Sequence, residues 1–307
     1  MRLALCLIVK DEINRIGACL DPVAALFDDI VVIDTGSTDG TPQLLRERFG
    51  IDAIPGVLRE DQCFSKCEER NRGFELARAD WVVALDADEA IGPDAVRRLR
   101  AAAHAGDADG FFGAWINHFE GEPAFEDYKL FAFRKGFRKR GLVHDNVQTD
   151  LRERGARARW LEGLTVDHHP ETAKLPHKLE LYRWRLERAI GMEPHWLRYH
   201  WFLGYMDYQA HRWDASDALL AQVTEGAPGL FPVECLNSYM VRIDIAARRG
   251  RRQAALELCD AALAFHEQVS DDFEVPINFR LLPWLREARA RAEDDDLDAI
   301  RAYRFAR

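Results

Sequence analysis

Two stretches of this chain are apolar without interruption. LALCLIV (residues 3–9) and the opening of WVVALDADE (Trp81–Glu89) lack the alternation of a half-exposed strand. Each therefore predicts a central strand buried on both faces. Between them, DDIVVID predicts a strand at Ile30–Ile33 with Asp34 at its C-terminal end, and IDAIPG a short one. Helices are expected from about Ile13 to Phe27, beyond the turn-rich loop Thr35–Gly40, and over residues 63–78. Thr41 or Asp39 would cap the second of these, with Pro42 near its first position. Strands alternating with helices predict βαβ units and a mostly parallel sheet. From Gly110, GFFGAWINHF, DYKLFAFRKG and part of KRGLVHDNVQ predict three more strands. After Pro170 the pattern changes to helical spacing, with helices expected near 171–190, 195–211, 214–225, 233–249, 252–268 and 276–292. The division that follows is an α/β domain over 1–170 and an all-α region over 171–307.

Composition narrows the class. Hydrophobic residues make up 48% of 307, enough for a sizeable core, and the net charge of −10 argues against a general nucleic-acid binder. The six cysteines show no C-x-x-C spacing, so packed thiols are expected rather than zinc ligands. No apolar run approaches the roughly 20 residues of a membrane span, and no signal peptide precedes the first strand. The chain reads as soluble and cytoplasmic, with peripheral membrane contact left open.

The candidate chemistry lies where the strands end. Asp11/Glu12, Asp34 and Asp86/Asp88 would share one rim of a parallel sheet, where open α/β sheets bind ligands. Acids clustered on one rim repel unless a cation or a donor-rich ligand offsets them. If strand geometry persists to Asp88, Asp86 and Asp88 point to one side. Paired hard oxygen ligands there suit Mg²⁺ or Mn²⁺, which can grip a diphosphate. The alternative is that DADE is the acidic N-terminus of the helix starting at Gly92-Pro93-Asp94. VKDEINRIG follows the first strand without G-x-G-x-x-G, and no Walker A pattern occurs. Phosphate must be handled by metal and side chains.

The series CLIVKDE, VVIDTGSTDGT, ERNRGFELARADWVVALDADE resembles family 2 glycosyltransferases of the GT-A fold, closest to a bacterial subgroup with helical repeats after the catalytic domain. The resemblance implies a Rossmann-like, mostly parallel sheet and a nucleotide-diphosphate sugar, most readily UDP-linked, as donor. It implies that Asp34 accepts from the nucleotide base. Asp11, Glu12 and the backbone near Val9 would line the base and ribose pocket. Asn71 matches a subgroup asparagine, and Asp86 and Asp88 match the D-x-D pair, with Asp88 the direct metal ligand. Phe64-Ser65 and Arg70-Asn71 are spread further apart than in the subgroup. The acceptor-side half of the subgroup carries a His-Glu pair where this chain has His144-Asp145, so Asp145 is expected to be the general base and Asp127 the runner-up. The loop-acid reading of Asp145 stands beside it. His144, His168 and His169 are candidates for a further metal or phosphate contact, because a neutral imidazole binds Mn²⁺ readily. The run Arg134, Lys135, Arg138, Lys139, Arg140 is a solvated loop or a grip on diphosphate or an anionic acceptor.

In the second half, Leu203, Gly204 and Pro228 fit positions of the roughly 34-residue tetratricopeptide pattern, and Ala254, Leu258 and Ala261 part of a second repeat. The region is TPR-like, its Trp184, Trp196, Trp201, Trp213 and Trp284 mostly core, with a short basic helix after Glu293–Asp296. The function expected is metal-dependent, inverting transfer of a sugar to an acceptor hydroxyl on a saccharide, lipid-linked glycan or peptide. The alternatives are a nucleotidyltransferase, whose glycine- and arginine-rich loop VKDEINR is not, and a non-catalytic helical-repeat interaction protein with a vestigial GT-A domain.

Overall fold

The computed structural model describes residues 1–58, 65–171, 175–226, 228–269 and 277–303. The chain divides into two compact units, one through Leu175 and one from Pro176 onward. The first unit holds an eight-stranded sheet. In chain order its strands are β1 Leu3–Val9, β2 Asp29–Asp34, β3 Ile54–Pro55, β4 Trp81–Ala84, β5 Glu89–Ile91, β6 Gly110–Asn117, β7 Phe125–Arg134 and β8 Ala158–His168. Across the sheet the order is β3-β2-β1-β4-β7-β6-β8-β5. The block β3-β2-β1-β4 is parallel; β7 pairs antiparallel with both β4 and β6; β8 runs parallel to β6 and antiparallel to β5. The sheet is thus mixed and mostly parallel, as expected for the α/β class.

The continuous apolar runs form the middle of this sheet. All seven residues of β1 are buried, because β2 and β4 flank it and helices cover its faces. Trp81 at the start of β4 is fully buried and stacks on Phe111 of β6 at 5.1 Å. Helix α1 Ile16–Leu20 is far shorter than the expected Ile13–Phe27. Pro22 follows its C-cap Asp21, and proline lacks the N–H that a continuing helix needs. Only a 3₁₀ turn, Ala24–Leu26, remains of the rest. Helix α2 Thr41–Phe49 has Gly40 as N-cap and Pro42 in its first turn. The cap is thus Gly40 rather than the expected Thr41 or Asp39, although the Asp39 carboxylate, one residue earlier, accepts from the Thr41 amide (2.9 Å). Helix α3 Ser65–Leu76 packs on β1 and β2. The expected start of that helix at 63, with Cys63 and Phe64, lies outside the described residues. Helix α4 Pro93–Ala105 packs on β8, and a short helix α5 Gln148–Glu153 precedes that strand.

Two strand assignments are corrected. KRGLVHDNVQ forms no strand; its only ladder contact is a single bridge between Arg140 and Asn146. The third strand is β8, of which only the final histidines stood out. Its surface is half exposed, and Gly163 (φ 78°) breaks its alternation, so the period-two signal is weak.

The second unit holds α6 Leu175–Met192, α7 Leu197–Gln209, α8 Trp213–Glu225, α9 Pro232–Arg248, α10 Arg252–Val269 and α11 Ile277–Glu293, close to the expected spans. From α7 onward each helix packs on the next. Gly204 lets α7 and α8 approach: a Cβ there would lie 2.7 Å from Leu220. On α10 the buried seam is Ala255, Cys259 and Ala262; of the residues matched to the repeat pattern, Ala254 and Leu258 are half-buried and Ala261 is exposed. Among the tryptophans Trp201 is buried and Trp184 is 43% exposed. In place of the expected C-terminal helix there is a 3₁₀ turn, Leu297–Ala299, and irregular chain to residue 303.

Gly113 sits where the β6–β8 register shifts. An added Cβ would overlap the Leu164 carbonyl oxygen and approach Leu164 Cγ to 2.6 Å. Gly113→Ala should therefore destabilise the chain by about 1–3 kcal/mol in denaturant unfolding. An unchanged midpoint would show that β8 is not held this closely.

Candidate active site

β4 ends at Ala84, and the chain then turns. The Leu85 amide still donates to the Cys6 carbonyl of β1 (3.3 Å), and the Glu89 amide donates to the Asp86 carbonyl (3.0 Å). Asp86–Glu89 is thus a tight turn, not the strand extension the sequence suggested. DADE is not a helix N-terminus either, since β5 separates it from α4. Glu89 explains the turn. Its carboxylate is 1% exposed; Oε2 accepts from the Asp86 amide (2.9 Å) and Oε1 from Lys129 Nζ (2.6 Å). Lys129 Nζ lies 5.4 Å from the ring centres of both Trp115 and Phe131, and 3.9 Å from Asp86 Oδ2. Burial disfavours the Lys129 ammonium, but Glu89 and then Asp86 outweigh it and raise its pKa above the usual lysine value.

Arg70 on α3 joins this turn to a distant loop. Its Nη2 donates to Asp86 Oδ1 (2.7 Å), and Nη1 donates to both Asp145 oxygens (3.0 and 3.1 Å). Lys139 Nζ donates to Asp145 Oδ1 (2.9 Å). Asn71, beside Arg70, is buried and clamps the Lys139 backbone: Oδ1 accepts from its N–H (2.7 Å) and Nδ2 donates to its carbonyl (3.0 Å). Burial pushes the Asp86 and Asp145 carboxyls up. Arg70 and Lys129 together outweigh it at Asp86, and Arg70 and Lys139 at Asp145, so both end well below the usual carboxylate range. Arg70 itself is held above its ordinary value, since Asp145 and Asp86 overcome its burial. Lys66 on α3 is depressed, first by Arg70 and then by burial. Four cations, Lys66, Arg70, Lys129 and Lys139, thus crowd one acidic turn.

Asp88 faces the other way along the turn. Its Oδ2 lies 3.7 Å from His168 Nε2 at the end of β8, and its carbonyl accepts from the His169 amide (2.9 Å). Burial raises the Asp88 carboxyl, but His168 outweighs it and the net shift is downward. The imidazole is well fixed. Its ring stacks on Trp115 at 4.7 Å, and Nδ1 is 2.8 Å from Asn117 Oδ1. Asn117 Nδ2 donates to the Trp115 carbonyl (3.0 Å), which sets the amide so that its oxygen faces the ring. Nδ1 therefore donates to Asn117, and Nε2 is the ring nitrogen turned toward Asp88.

The ends of β1 and β2 are cross-linked. Asp34 is 9% exposed, and its Oδ1 accepts from the Gly36 (3.0 Å) and Ser37 (2.8 Å) amides. Asp11 has a left-handed backbone (φ 55°); its Oδ1 accepts from the Thr38 amide (2.7 Å) and its own amide donates to Ser37 Oγ (2.9 Å). Glu12 donates its amide to Thr41 Oγ1 (2.9 Å), and its carboxylate pairs with Arg15 (2.7 Å). The buried Val9 accepts from the Thr35 amide through its carbonyl (3.0 Å).

His144 has a left-handed backbone (φ 52°) next to Asp145. Asp127 lies on β7, where its Oδ1 accepts from the Tyr128 amide (2.8 Å). His169 stacks on His118 at 4.5 Å, and His118 bonds Asp167 (2.7 Å). In the basic run only Lys139 reaches Asp145: Arg134 pairs with Asp109, Arg138 with Glu75 and Arg140 with Glu153. Lys66, Glu89, Asn117 and Lys129 were not singled out from sequence.

This arrangement is a GT-A type of α/β domain with an acidic turn at the centre of its rim. The family model of Glycosyl transferase family 2 matches residues 5–159, about half of the chain. The chain belongs to that family. A TPR repeat-containing protein of Synechococcus elongatus is 35% identical over 100 residues, covering 33% of this chain and 24% of that protein. The SPbeta prophage-derived glycosyltransferase SunS of Bacillus subtilis is 24% identical over 143 residues, 45% of this chain and 33% of that one. The chain spans only about a quarter to a third of the length of these relatives. The crystal structure of S. aureus TarS is similar over 100% of this chain and 56% of that one, at 14% identity and a TM-score of 0.46.

Two outcomes follow from the ion pairs. Glu89→Leu strands Lys129 with only the more distant Asp86, and should cost about 2–4 kcal/mol, below the usual loss for a fully buried pair because Lys129 is 26% exposed. Glu89→Gln should cost less, and equal losses would show that charge is not the issue. The depressed Asp86 and Asp145 carboxyls stabilise the fold above the unfolded-state pKa of about 3.9, and that stability is lost as pH falls through their folded values. Melting temperature should hold between about pH 7 and 5 and drop below about pH 4. A flat acid profile would contradict these pairings.

Proposed function

We propose that this chain transfers a glycosyl group from a nucleotide-diphosphate sugar, with UDP the favoured nucleotide, to an acceptor hydroxyl with inversion. The observation that carries the reading is the meeting, at one strand end, of a fixed acid–imidazole gap and a cluster of cations. The 3.7 Å between Asp88 Oδ2 and His168 Nε2 is too long for a hydrogen bond. Neighbouring ligands of an octahedral ion at about 2.0–2.2 Å lie roughly 3 Å apart, so a side-chain shift of under about 1 Å would let Asp88 and His168 share one. Among the described residues no three His, Cys, Asp or Glu side chains converge as a complete cage. Asp88 and His168, with Asp86 alongside, would therefore hold Mn²⁺ or Mg²⁺ together with phosphate oxygens, as small hard cations commonly are. The imidazole favours Mn²⁺ of the two. Such an ion, when bound, would neutralise charge growing on the departing diphosphate.

The remaining roles belong to side chains. Arg70 and Lys139, with Lys66 and Lys129 close by, would bind the diphosphate oxygens, Arg70 in a fork geometry. Asn71 would act by holding Lys139 in place. Asp34, through its second oxygen, would accept from the base, with Asp11, Glu12 and the Val9 backbone beside base and ribose. Asp145 would take the proton from the acceptor oxygen as that oxygen bonds to the anomeric carbon and the carbon–diphosphate bond breaks. Asp127, on β7 with its Oδ1 accepting from the Tyr128 amide, is the second base candidate. The acceptor is a hydroxyl on a saccharide, lipid-linked glycan or peptide.

A panel of nucleotide sugars, scored for Mn²⁺-dependent hydrolysis and thermal shift, tests this without an acceptor. UDP with Mn²⁺ should raise the melting temperature, and Asp88→Ala or His168→Ala should weaken the Mn²⁺ dependence by at least about tenfold. If UDP, dTDP and GDP all fail to shift the transition in the presence of Mn²⁺, the reading falls.

A further inference from the structure

Asp145 occupies the groups that a diphosphate would need. Both its oxygens accept from Arg70 Nη1, and Lys139 Nζ sits 2.9 Å from Oδ1. The three side chains are 7%, 15% and 12% exposed, so the cluster is largely closed to water. Its members cannot easily drift apart, because Asn71 clamps the Lys139 backbone and Arg70 is tied at its other end to Asp86. Only the side-chain ends are free to choose between partners.

We propose that Asp145 is the resident counter-charge of the donor site: the incoming diphosphate displaces it from Arg70 and Lys139, so that donor binding and the uncovering of Asp145 are one exchange of ion pairs. The inference rests on the donor reading above and adds an order to it. A carboxylate 7% exposed and held by a guanidinium and an ammonium is both hard for an acceptor hydroxyl to reach and weak as a base. When the phosphate oxygens take those two cations, Asp145 loses its partners at the moment the leaving group is in place. For the cations the exchange is even, two cation–carboxylate contacts breaking as two cation–phosphate contacts form; the unpaired charge passes to Asp145, whose carboxylate then favours taking up a proton. The cations stay buried and compensated throughout, which matters because an unpaired buried charge is costly. Acceptor activation without donor is thereby prevented.

The test is binding rather than turnover. UDP and inorganic pyrophosphate are titrated by calorimetry into the full chain with Mn²⁺ present. A base uninvolved in the donor site predicts equal affinity for wild type and Asp145→Asn. The exchange predicts that Asp145→Asn binds both probes roughly tenfold more tightly, about 1.4 kcal/mol, although it cannot transfer sugar. Asp145→Ala should do the same, which covers a failure of the asparagine variant to fold; thermal melting reports folding of each. In an Arg70→Gln background the gain should largely vanish, because there is little left to exchange. A gain that persists undiminished with Arg70→Gln would mean general repulsion instead, and would overturn the proposal. So would unchanged or weaker binding by folded Asp145 variants, leaving the donor reading intact. If wild type binds neither probe, the donor reading itself fails, and this inference with it.

Discussion

Arg70 donates to two carboxylates that lie 16 and 75 residues away along the chain. The acidic turn and the Asp145 loop are joined through that bridge. It ties the turn after β4 to the loop before α5, and it does so with a buried guanidinium whose loss would leave two acids facing each other. Around it the chain has built a nearly balanced cluster: Asp86, Asp88, Glu89 and Asp145 against Lys66, Arg70, Lys129 and Lys139. Such a cluster contributes little net stability compared with an apolar core of the same volume. Its persistence here is better understood as a requirement of the site than of the fold.

The fold beneath it rests on ordinary burial. β1 and β4 supply a fully apolar centre, and the turn projects from the end of β4 where hydrogen bonding to β1 runs out at Leu85. That frame was legible in the sequence, because strands buried on both faces read as unbroken apolar runs. Asp34, Asp86 and Asp88 were legible for the same reason, as acids placed where such runs stop. The extension of β4 to Asp88 was not correct. Nothing local distinguishes a strand that continues from one that turns, and what decides the matter is Glu89, whose partner Lys129 is 40 residues away. β8 escaped notice because a half-exposed strand interrupted by Gly163 has no clean period. The partners of Asp145 were out of reach for a similar reason: a contact across 75 residues leaves no trace in spacing. The basic run illustrates the point, since one of its five residues serves the rim and three others pair with acids at the surface.

In the helical unit the spans were read closely from periodicity. One residue of displacement turns a helix face by about 100°, which is why Ala262 of α10 is buried while Ala261 is exposed. Buried acids again organise the packing. Asp244 is inaccessible to solvent, bonds Tyr208 and Arg248, and accepts from the Ala302 amide (2.9 Å), pinning the end of the described chain onto α9.

The stitched loops after β1 and β2 carry one more consequence. Asp11, Ser37, Thr38, Asp39 and Thr41 bond one another and neighbouring amides with short, stiff side chains. A surface assembled that way has already surrendered its conformational entropy on folding, so a flat ring settling on it would find little left to freeze. Discrimination among bases would then be written in the stationary pattern of donors and acceptors on that ledge, not in any wrapping motion around the guest.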